Sequence, residues 1–408
     1  GRQLGGTAWG QPLKKNYTHG FTYADCWVED TRLTVLTAVD AAQRGAQVLT
    51  RTACIGLKPR GAKGWTVTLQ DTITDETGAV TAALVVNAAG PWVTQTLDLV
   101  GPDAGQYRTR LVKGSHIIVP RLYQGEHAYI LQNEDKRIVF VIPYEKKFSL
   151  VGTTDVEYTG SLDEVRIGLS EVEYLCAAVS RYFKTALRPE DVQWTYSGVR
   201  PLIDDGEDVA SKVTRDYHID IEDFDEAPML TVYGGKLTTF RQMSEKAAQL
   251  IVDRLGRGGG AWTRDAFLPG GDMAYDFHAF LKTLKREYNW LPEQLAYRLA
   301  RAYGSTLRDM LRGMKRMADL GEHLGDGVYE FEIAHLVKHE FALTLEDVIW
   351  RRSKLGLHIR EATQKNIRRL VKALRTRPLQ GAGAEWEEND GGDDLANDSE
   401  DSQGNISA

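Results

Sequence analysis

The sequence predicts an α/β fold that is joined to an antiparallel β-sheet region and an all-α C-terminal domain. A helical pattern over 30–46 leads into strands that end in an apolar segment and a glycine turn at Gly90. Short strands separated by polar turns then follow between 113 and 155, and almost everything beyond Ala274 has helical periodicity. Alternating helices and strands are typical of parallel sheets, whereas runs of short strands are typical of antiparallel ones.

The first region, 1–110, has the pattern of the second part of a Rossmann-like dinucleotide-binding domain. Apolar residues recur every third position in the predicted helix over 30–46. Strands are predicted at 47–53, 65–70 and 82–86. The segment Asn87-Ala-Ala-Gly-Pro-Trp92 then supplies a glycine for a turn and a proline for the first turn of a helix. No Gly-x-Gly-x-x-Gly motif follows a strand, so we expect an incomplete domain whose first part is missing.

The second region, 111–232, is predicted to be the antiparallel sheet. Its strands are expected at 115–119, 128–132, 137–142, 148–152 and 220–232. A helix over 170–182 is expected to begin with Ser170 and Glu173, which have the spacing of a capping box.

Residues 233–260 are predicted to return to the first domain. Gly234 and Gly235 open a helix that runs to about Leu255. Two glycines let a ligand approach the backbone closely, and a helix N-terminus offers amide groups to an anion. A simple strand-to-helix turn explains the same pattern equally well.

The third region, 261–378, is predicted to be a separate helical domain. Its helices are expected at 276–288, 293–303, 331–340 and 361–376. Trp262, Trp290 and Trp350 are expected to pack in its core or against another domain. The segment 379–408 is acidic and poor in apolar residues, so it is predicted to be a disordered tail.

Composition and charge exclude several classes of protein. The 408 residues carry a net charge of −7, but the nine acids after Arg377 account for it. The preceding part has 50 basic and 48 acidic side chains, which argues against a broadly basic nucleic-acid-binding protein. Three widely spaced cysteines fit neither a disulfide framework nor a zinc site and favour a reducing compartment.

No membrane-spanning segment or secretory leader is expected. The longest stretch without a charge, 77–97, contains Asn87, Gly90 and Pro91, which argues against a helix in hydrocarbon. The chain starts at Gly1 without a charged and then apolar leader. Peripheral attachment to a membrane surface stays open.

Basic residues near the glycine turn are the strongest candidates for binding a substrate. Arg200, Arg215 and Lys236 together would suit a phosphate group, although each arginine could instead pair with a neighbouring acid. His116 lies near the start of the predicted sheet and is either a functional group or an ordinary buried polar residue. His335 and His339 have metal-site spacing, but no third ligand is evident, so we interpret them as structural and expect no metal.

Six segments occur in the order found in FAD-dependent glycerol-3-phosphate dehydrogenase, and the chain resembles this family from about 15 to about 375. The likeness to the aerobic bacterial enzyme includes the helical C-terminal domain. The segments are Tyr23-Ala-Asp-Cys-Trp-Val-Glu-Asp-Thr-Arg-Leu33, Asn87-Ala-Ala-Gly-Pro-Trp92, Leu111-Val-Lys-Gly-Ser-His116, Gly152-Thr-Thr-Asp155, Tyr196-Ser-Gly-Val-Arg-Pro201 and Gly234-Gly-Lys-Leu-Thr-Thr239. The family's glycine-rich FAD fingerprint and an active-site arginine would precede Gly1, so a truncated enzyme is expected.

The resemblance implies oxidation of sn-glycerol 3-phosphate to dihydroxyacetone phosphate in glycerol catabolism. FAD would accept the hydride and pass electrons to a quinone. The protein would lie in the cytoplasm or peripherally on the cytoplasmic face of the inner membrane, without nucleic acid, and a homodimer stays open.

The resemblance also assigns roles to individual positions. It implies catalytic roles for His116, Arg200 and Lys236. His116 would be the general base or would polarise the C2 hydroxyl. Substrate contacts fall on Arg200, Arg215, Lys236 and Thr153. Cofactor contacts fall on Thr52, Ala53, Ala88, Gly90, Gly234, Gly235, Leu237, Thr238 and Thr239.

Two other hypotheses remain from the sequence. One is a related flavoprotein of the glycine-oxidase type that acts on an amino acid or a 2-hydroxy acid, which would need one carboxylate clamp instead of three basic residues. The other is a non-catalytic fragment or interaction module.

Overall fold

The computed structural model describes residues 1–204, 216–273 and 276–375, so Arg215 and the predicted tail 379–408 lie outside it. The α-helices in this part are α1 (Asp30–Gln43), α2 (Val93–Asp98), α3 (Leu169–Tyr182), α4 (Phe240–Leu255), α5 (Phe277–Glu287), α6 (Glu293–Tyr303), α7 (Thr306–Met310), α8 (Glu330–His339) and α9 (Glu361–Leu374). The strands are β1 (Arg2–Gln3), β2 (His19–Gly20), β3 (Thr52–Pro59), β4 (Trp65–Asp71), β5 (Thr77–Ala82), β6 (Val85–Asn87), β7 (Thr109–Pro120), β8 (Tyr129–Gln132), β9 (Ile138–Tyr144), β10 (Phe148–Gly152), β11 (Val156–Glu157), β12 (Trp194–Ile203), β13 (Tyr217–Phe224), β14 (Ala227–Gly234), β15 (His323–Gly325) and β16 (Val328–Tyr329).

The predicted antiparallel sheet is confirmed and is larger than expected. Its strands run in the order β11-β7-β10-β9-β8, and β12 also pairs with β7. Gly198 and Pro201 on either side of Arg200 are typical of turns, yet this segment is a regular strand of the sheet. Ten residues, Trp194–Ile203, pair with β7 in continuous register. Proline is tolerated at the border of a sheet, which accommodates Pro201 in this strand.

Helix α3 covers one face of this sheet. Ile117 and Val151 on that face pack in one core with Leu175 and Val179 of the helix. The helix begins at Leu169, and its N-cap is Gly168, whose amide donates to the Glu171 side chain. The expected cap by Ser170 and Glu173 was therefore wrong. Because neighbouring residues in a strand point to opposite faces, the residues next to Ile117 and Val151 lie on the other face.

A second, smaller sheet has the order β13-β14-β6. The single strand expected over 220–232 is a hairpin, in which Asp225 and Glu226 form the turn with positive φ angles of 45° and 66°. Strand β6 runs parallel to β14, with Val86 opposite Leu230. Both strands therefore end at the same edge, where one continues into Ala88–Gly90 and the other into the glycine turn.

The strands β3, β4 and β5 form a separate antiparallel sheet. We expected a strand over 47–53, but the strand starts at Thr52, because Arg51 has a φ angle of 60° and forms a turn. Trp65 of this sheet is fully buried and donates from Nε1 to the carbonyl of Pro228, 2.8 Å away. This contact fixes the sheet at the start of β14.

The C-terminal region is helical as predicted, with one short hairpin of β15 and β16. Its large apolar core includes the fully buried Leu284, Leu299 and Leu336. Trp350 stacks on Trp194 of β12 with ring centroids 4.1 Å apart, as expected for packing between regions. Trp262 is 51% exposed and is not a core residue, but the guanidinium of Arg44 in the region 1–110 lies 4.0 Å from the centroid of its ring.

Across the ranges given above, none of the helices is both long enough and apolar enough to cross a membrane.

Candidate active site

His116 lies on β7 between two neighbouring strands. Gly152 of β10 is opposite it on one side and Tyr196 of β12 on the other. The imidazole stacks on the Tyr196 ring with centroids 4.8 Å apart and planes inclined by 10°. A Cβ atom at Gly152 would lie 2.1 Å from Cδ2 of His116, so the ring occupies space that only a glycine leaves. The position of His116 is therefore fixed by its neighbours in the sheet.

His116 is held in its neutral form. Burial, and to a lesser extent the positive charge of Arg200, lower the pKa of His116 to about 4. Within the described residues its buried Nδ1 has no hydrogen-bond partner. A buried polar atom without a partner is costly, and a ligand that bonds to it removes that cost. A neutral imidazole at this place can accept a proton from a bound molecule.

Arg200 lies on β12, on the same face of the sheet as His116. Its Nη1 donates to Oδ1 of Asp155 at 2.8 Å, and its Nη2 donates to Oγ1 of Thr153 at 3.2 Å. A Cβ atom at Gly114 would lie 2.6 Å from Nη2, so this glycine makes room for the guanidinium. The structure shows the pairing of Arg200 with an acid, which was one of the two expectations, and it also places Thr153 beside the guanidinium. A guanidinium carries five N–H donors in a planar fork and can serve a carboxylate and a phosphate together.

The glycine turn lies against the end of the Arg200 strand. Gly234 and Gly235 have φ angles of 69° and 97°, which favour glycine. A Cβ atom at Gly234 would lie 2.8 Å from the carbonyl oxygen of Asp216 and 3.6 Å from that of Pro201, the residue after Arg200. Lys236 follows in an exposed position. The turn therefore presents its backbone and a lysine close to the end of β12.

The residues after the glycines lead into α4. Leu237 and Thr238 are exposed, whereas Thr239 is partly buried and donates from Oγ1 to the carbonyl of Lys236 at 3.0 Å. Thr239 precedes α4 directly, but its side chain makes no capping hydrogen bond to the helix. The Thr239 hydroxyl therefore does not cap α4.

Ala88 and Gly90 are brought to the same edge. The turn Gly90–Trp92 packs against both β12 and β14. The buried side chain of Asn87 shapes this turn, because its Nδ2 donates to the carbonyl of Val93 at 2.9 Å and its Oδ1 accepts from the amide of Ala89. In α/β folds ligands bind beyond the carboxyl ends of parallel strands, and β6 and β14 end here.

Thr52 and Ala53 lie on the separate sheet of β3, β4 and β5. They open β3 and pair with Asp71 and Gln70 at the end of the sheet opposite Trp65. The preceding residue, Arg51, pairs with Asp347 of the helical region.

His335 and His339 form no metal site. Nε2 of His335 lies 3.3 Å from Oε1 of Glu340, and the ring packs against that of His339 with centroids 5.1 Å apart and planes inclined by 35°. In the part of the chain that the structure describes, no group of histidine, cysteine or acidic side chains could hold a metal ion.

Comparison with known proteins decides the family. Residues 5–241 match the family described as FAD dependent oxidoreductase, and 261–378 match the C-terminal domain of alpha-glycerophosphate oxidase. The glycerol-3-phosphate dehydrogenase of Pseudomonas aeruginosa is 45% identical over 355 residues, 86% of this chain and 69% of that protein. The chain belongs to the FAD-dependent glycerol-3-phosphate dehydrogenase family.

Other members of this family are equally similar. The aerobic glycerol-3-phosphate dehydrogenase of Escherichia coli is 43% identical over 87% of this chain and 71% of its own length. D-erythritol 1-phosphate dehydrogenase of Brucella abortus is 45% identical over 86% of this chain and 70% of its own. The fold matches the Bacillus halodurans glycerol-3-phosphate dehydrogenase complexed with FAD, with a TM-score of 0.72, 24% identity and coverage of 89% and 76% of the two chains. The predicted family, fold class and FAD cofactor are confirmed.

The residues around the glycine turn fit the cofactor of this family. Gly234 and Gly235 leave the backbone bare, and exposed residues of the turn lie at the carboxyl ends of β6 and β14. Such a cradle suits the phosphate and sugar parts of a dinucleotide, which need close backbone approach.

Sequence reasoning missed several residues that shape this site. Gly114 and Gly152 make room for side chains of other strands, and Tyr196 stacks on His116. Their roles depend on which residues are opposite in the sheet, which the sequence does not state. Asp155 stands in a quoted motif like these three residues, and the sequence did not identify it as the acid that pairs with Arg200.

Proposed function

We propose that this dehydrogenase oxidises sn-glycerol 3-phosphate to dihydroxyacetone phosphate with FAD. The observation that carries the proposal is the placement of a neutral His116 on the same sheet face as Arg200, which is oriented by Thr153 and Asp155. This pair offers a proton acceptor and an anion ligand to one small molecule. The names of the relatives agree with this chemistry.

The proposed phosphate ligands are Arg200, Lys236 and Arg215. Arg200 is supported by its hydrogen bond to Asp155, which holds the guanidinium in place. Lys236 is supported by its exposed position close to the end of β12. Thr153 would contribute its hydroxyl, which already lies beside Arg200. Charge-assisted bonds to a phosphate dianion are about twice as strong as neutral ones, so these groups would dominate substrate affinity.

The proposed base is His116. FAD, when bound, supplies the acceptor for the two electrons and the hydrogen of C2. The imidazole takes the remaining proton, from the C2 hydroxyl, so that the carbinol becomes a ketone. Since the charge of Arg200 contributes to the low pKa of His116, a phosphate dianion on Arg200 opposes that effect and makes His116 a stronger base when substrate is bound.

The proposed cofactor contacts are made mainly by turns. The segment 234–239, with Leu237, Thr238 and Thr239, would lie along the flavin side chain and pyrophosphate, and Ala88 and Gly90 near the adenosine. Thr52 and Ala53 stay proposed contacts on the adenine side, reached by backbone. We also propose the domain boundaries given by the sequence, which lie after residues 110, 232, 260 and 378.

Electron delivery to a quinone, as part of glycerol catabolism, completes the proposal. The enzyme would work at the cytoplasmic face of a membrane as a peripheral protein, and a homodimer is compatible with it. One relative is named an aerobic dehydrogenase, which supports a respiratory electron acceptor such as a quinone.

D-Erythritol 1-phosphate is a second candidate substrate, because a dehydrogenase of this compound is as similar to the chain as the glycerol phosphate enzymes. Both compounds carry a phosphate ester next to a secondary alcohol. The same residues could therefore perform the same oxidation, and the length of the polyol would separate the two.

The test is a substrate comparison on the FAD-loaded full-length protein. Flavin bleaching and dye reduction are followed with glycerol 3-phosphate, erythritol 1-phosphate, glycine and lactate. We expect turnover with glycerol 3-phosphate and none with the last two. A preference for erythritol 1-phosphate would make that compound the substrate instead of glycerol 3-phosphate. Oxidation of glycine or lactate would favour a flavoprotein of the glycine-oxidase type. No turnover with any of the four compounds would favour a non-catalytic module.

A further inference from the structure

Glu171 at the start of α3 holds a buried carboxylate under the candidate active site. Only 8% of the residue is exposed, and both oxygens are occupied. Oε1 accepts hydrogen bonds from the hydroxyls of Ser115 at 2.9 Å and Thr154 at 2.7 Å. Oε2 accepts from the amide of Gly168 at 2.8 Å and pairs with Nζ of Lys113, also at 2.8 Å.

These four bonds join three separate segments. Ser115 belongs to β7, Thr154 follows β10, and Gly168 precedes the helix. The network continues to β12, because the hydroxyls of Ser115 and Ser197 lie 2.9 Å apart. A second link within it is the amide of Ser115, which donates to Oγ1 of Thr154 at 3.0 Å. Glu171 therefore sets the relative position of the strands that carry the site.

Two of the four tethered residues, Ser115 and Thr154, are direct neighbours of site residues. Ser115 precedes His116, and Thr154 lies between Thr153 and Asp155, the two residues that hold Arg200. Successive strand residues point to opposite faces, so the network lies on the helix side and the site on the other side. Glu171 touches none of the reacting groups itself.

The carboxylate stays charged in this place. Burial by itself would raise the pKa of Glu171, but hydrogen bonds from Lys113, Gly168, Thr154 and Ser115 outweigh it and lower the pKa. A glutamine of the same size could not balance the buried Lys113 ammonium and would place an N–H₂ group against at least one donor. The network would then rearrange, and the strands with it.

We propose that Glu171 is a positioning residue for the oxidation, acting through Ser115 on His116 and through Thr154 on the Arg200 anchor. The proposal rests on the proposed function, because it assumes that these two groups serve catalysis and phosphate binding. It predicts that the Glu171 carboxylate affects turnover through His116 and phosphate binding through Arg200, and that these two effects can be separated.

The experiment uses the FAD-loaded protein with four substitutions, and each variant is measured for kcat, KM, dihydroxyacetone phosphate binding by calorimetry, and melting temperature. Glu171→Gln should lower kcat/KM ~10–100-fold, since displacements of about 1 Å have effects of this size. Ser115→Ala should lower mainly kcat, and Thr154→Val should raise mainly KM and weaken binding of dihydroxyacetone phosphate. The matched control is Glu332→Gln in α8, another buried carboxylate, which is 1% exposed and pairs with Arg298.

The control separates positioning from stability. Glu332→Gln should lower the melting temperature but leave kcat and KM of the folded enzyme unchanged. If Glu171→Gln lowers kcat/KM no more than this control, the proposal is overturned. If Glu171→Gln does not fold, the other two variants decide, and wild-type kcat and KM in both would overturn it. A wild-type enzyme that leaves glycerol 3-phosphate unoxidised contradicts the proposed function instead.

Discussion

The imidazole of His116 lies directly over the α-carbon of Gly152, where a methyl group would come within 2.1 Å of Cδ2. The two residues are opposite each other on β7 and β10, so neither can move without shifting the sheet. The absence of a side chain at Gly152 is thus a condition for the position of the proposed base.

Gly152→Ala is therefore expected to displace His116. We expect kcat to fall by about 10²-fold or more, because small displacements of a reacting group have effects of this size. Steady-state kinetics with glycerol 3-phosphate measures the loss. Gly101→Ala is the control, since among the described residues nothing beyond its own chain neighbours lies within 4 Å of the added methyl group, and it should behave as the wild type. Equal kcat in Gly152→Ala and wild type would show that the position of His116 is not critical.

Arg200→Ala should weaken the binding of the phosphate group. Loss of a hydrogen-bonded charge is worth about 1.5–3 kcal/mol, which corresponds to a rise in KM of about 10- to 150-fold. Arg110→Ala is the control, because Arg110 also pairs with an acid at this sheet, Glu157, and has no proposed role. An unchanged KM in Arg200→Ala would exclude this arginine as a phosphate ligand.

The fold could be predicted from the sequence where local patterns decide it. The helix Glu293–Tyr303 was predicted to the residue, and β8, β9 and β10 were placed within two residues, whereas β7 starts at Thr109, six residues before the predicted strand. β12 was missed because Gly198 and Pro201 are typical of turns, whereas pairing with a long neighbour overrides this local preference. Thr52 was predicted near the end of a strand but lies at its start, because the turn at Arg51 contains no glycine that would have indicated it in the sequence.

The site could be predicted only as a set of residue types. The motifs indicated His116, Arg200 and Thr153, and the structure brings Arg200 and Thr153 into contact. Glu171 gave no signal, because its partners lie 17 or more positions away in the sequence, except for the amide of Gly168. Contacts between distant segments depend on sheet register, which no local pattern contains.

Glu340 ties the helical region to α1, and its removal should destabilise the protein. Its carboxylate pairs with Arg32 and with His335 and is 2% exposed. Burial opposes its ionisation, but hydrogen bonds from His335 and Arg32 outweigh this and lower the pKa of Glu340 to about 2. Its stabilising contribution is thus present above its unfolded pKa of about 4.5 and is lost as the pH falls toward 2.

Glu340→Gln should cost about 3–5 kcal/mol of unfolding free energy, because it leaves the Arg32 charge buried without its partner. Urea denaturation at pH 7 measures the loss. Replacing both residues by methionine is the comparison, since an apolar pair of similar volume is often neutral. A loss below 1 kcal/mol in Glu340→Gln would mean that the ion pair does not stabilise the contact between α1 and the helical region.

The pH dependence of His116 tests whether this residue is the base. Its pKa of about 4 places the acid limb of kcat/KM, which reports the free enzyme, far below neutral pH. The acid limb of kcat, which reports the substrate complex, should lie higher, because a phosphate dianion beside Arg200 favours the imidazolium. The folded protein also releases this proton at lower pH than the unfolded chain, so the contribution of His116 to stability is lost as the pH falls from about 6.5 to about 4.

His116→Asn should lower kcat by ~10²–10⁴-fold, the range typical of losing a general base. Binding of dihydroxyacetone phosphate should change little, because the proposed phosphate ligands remain. The acid limb should flatten in kcat and in kcat/KM, since asparagine does not titrate, and the stability of the variant should fall less between pH 6.5 and pH 4 than that of the wild type. Rate profiles over pH 4–9 and denaturation at several pH values measure both effects. An unchanged acid limb, with equal losses in turnover and product binding, would make His116 a residue that orients the substrate, and the proton would then leave through another group near the Gly152–Asp155 turn.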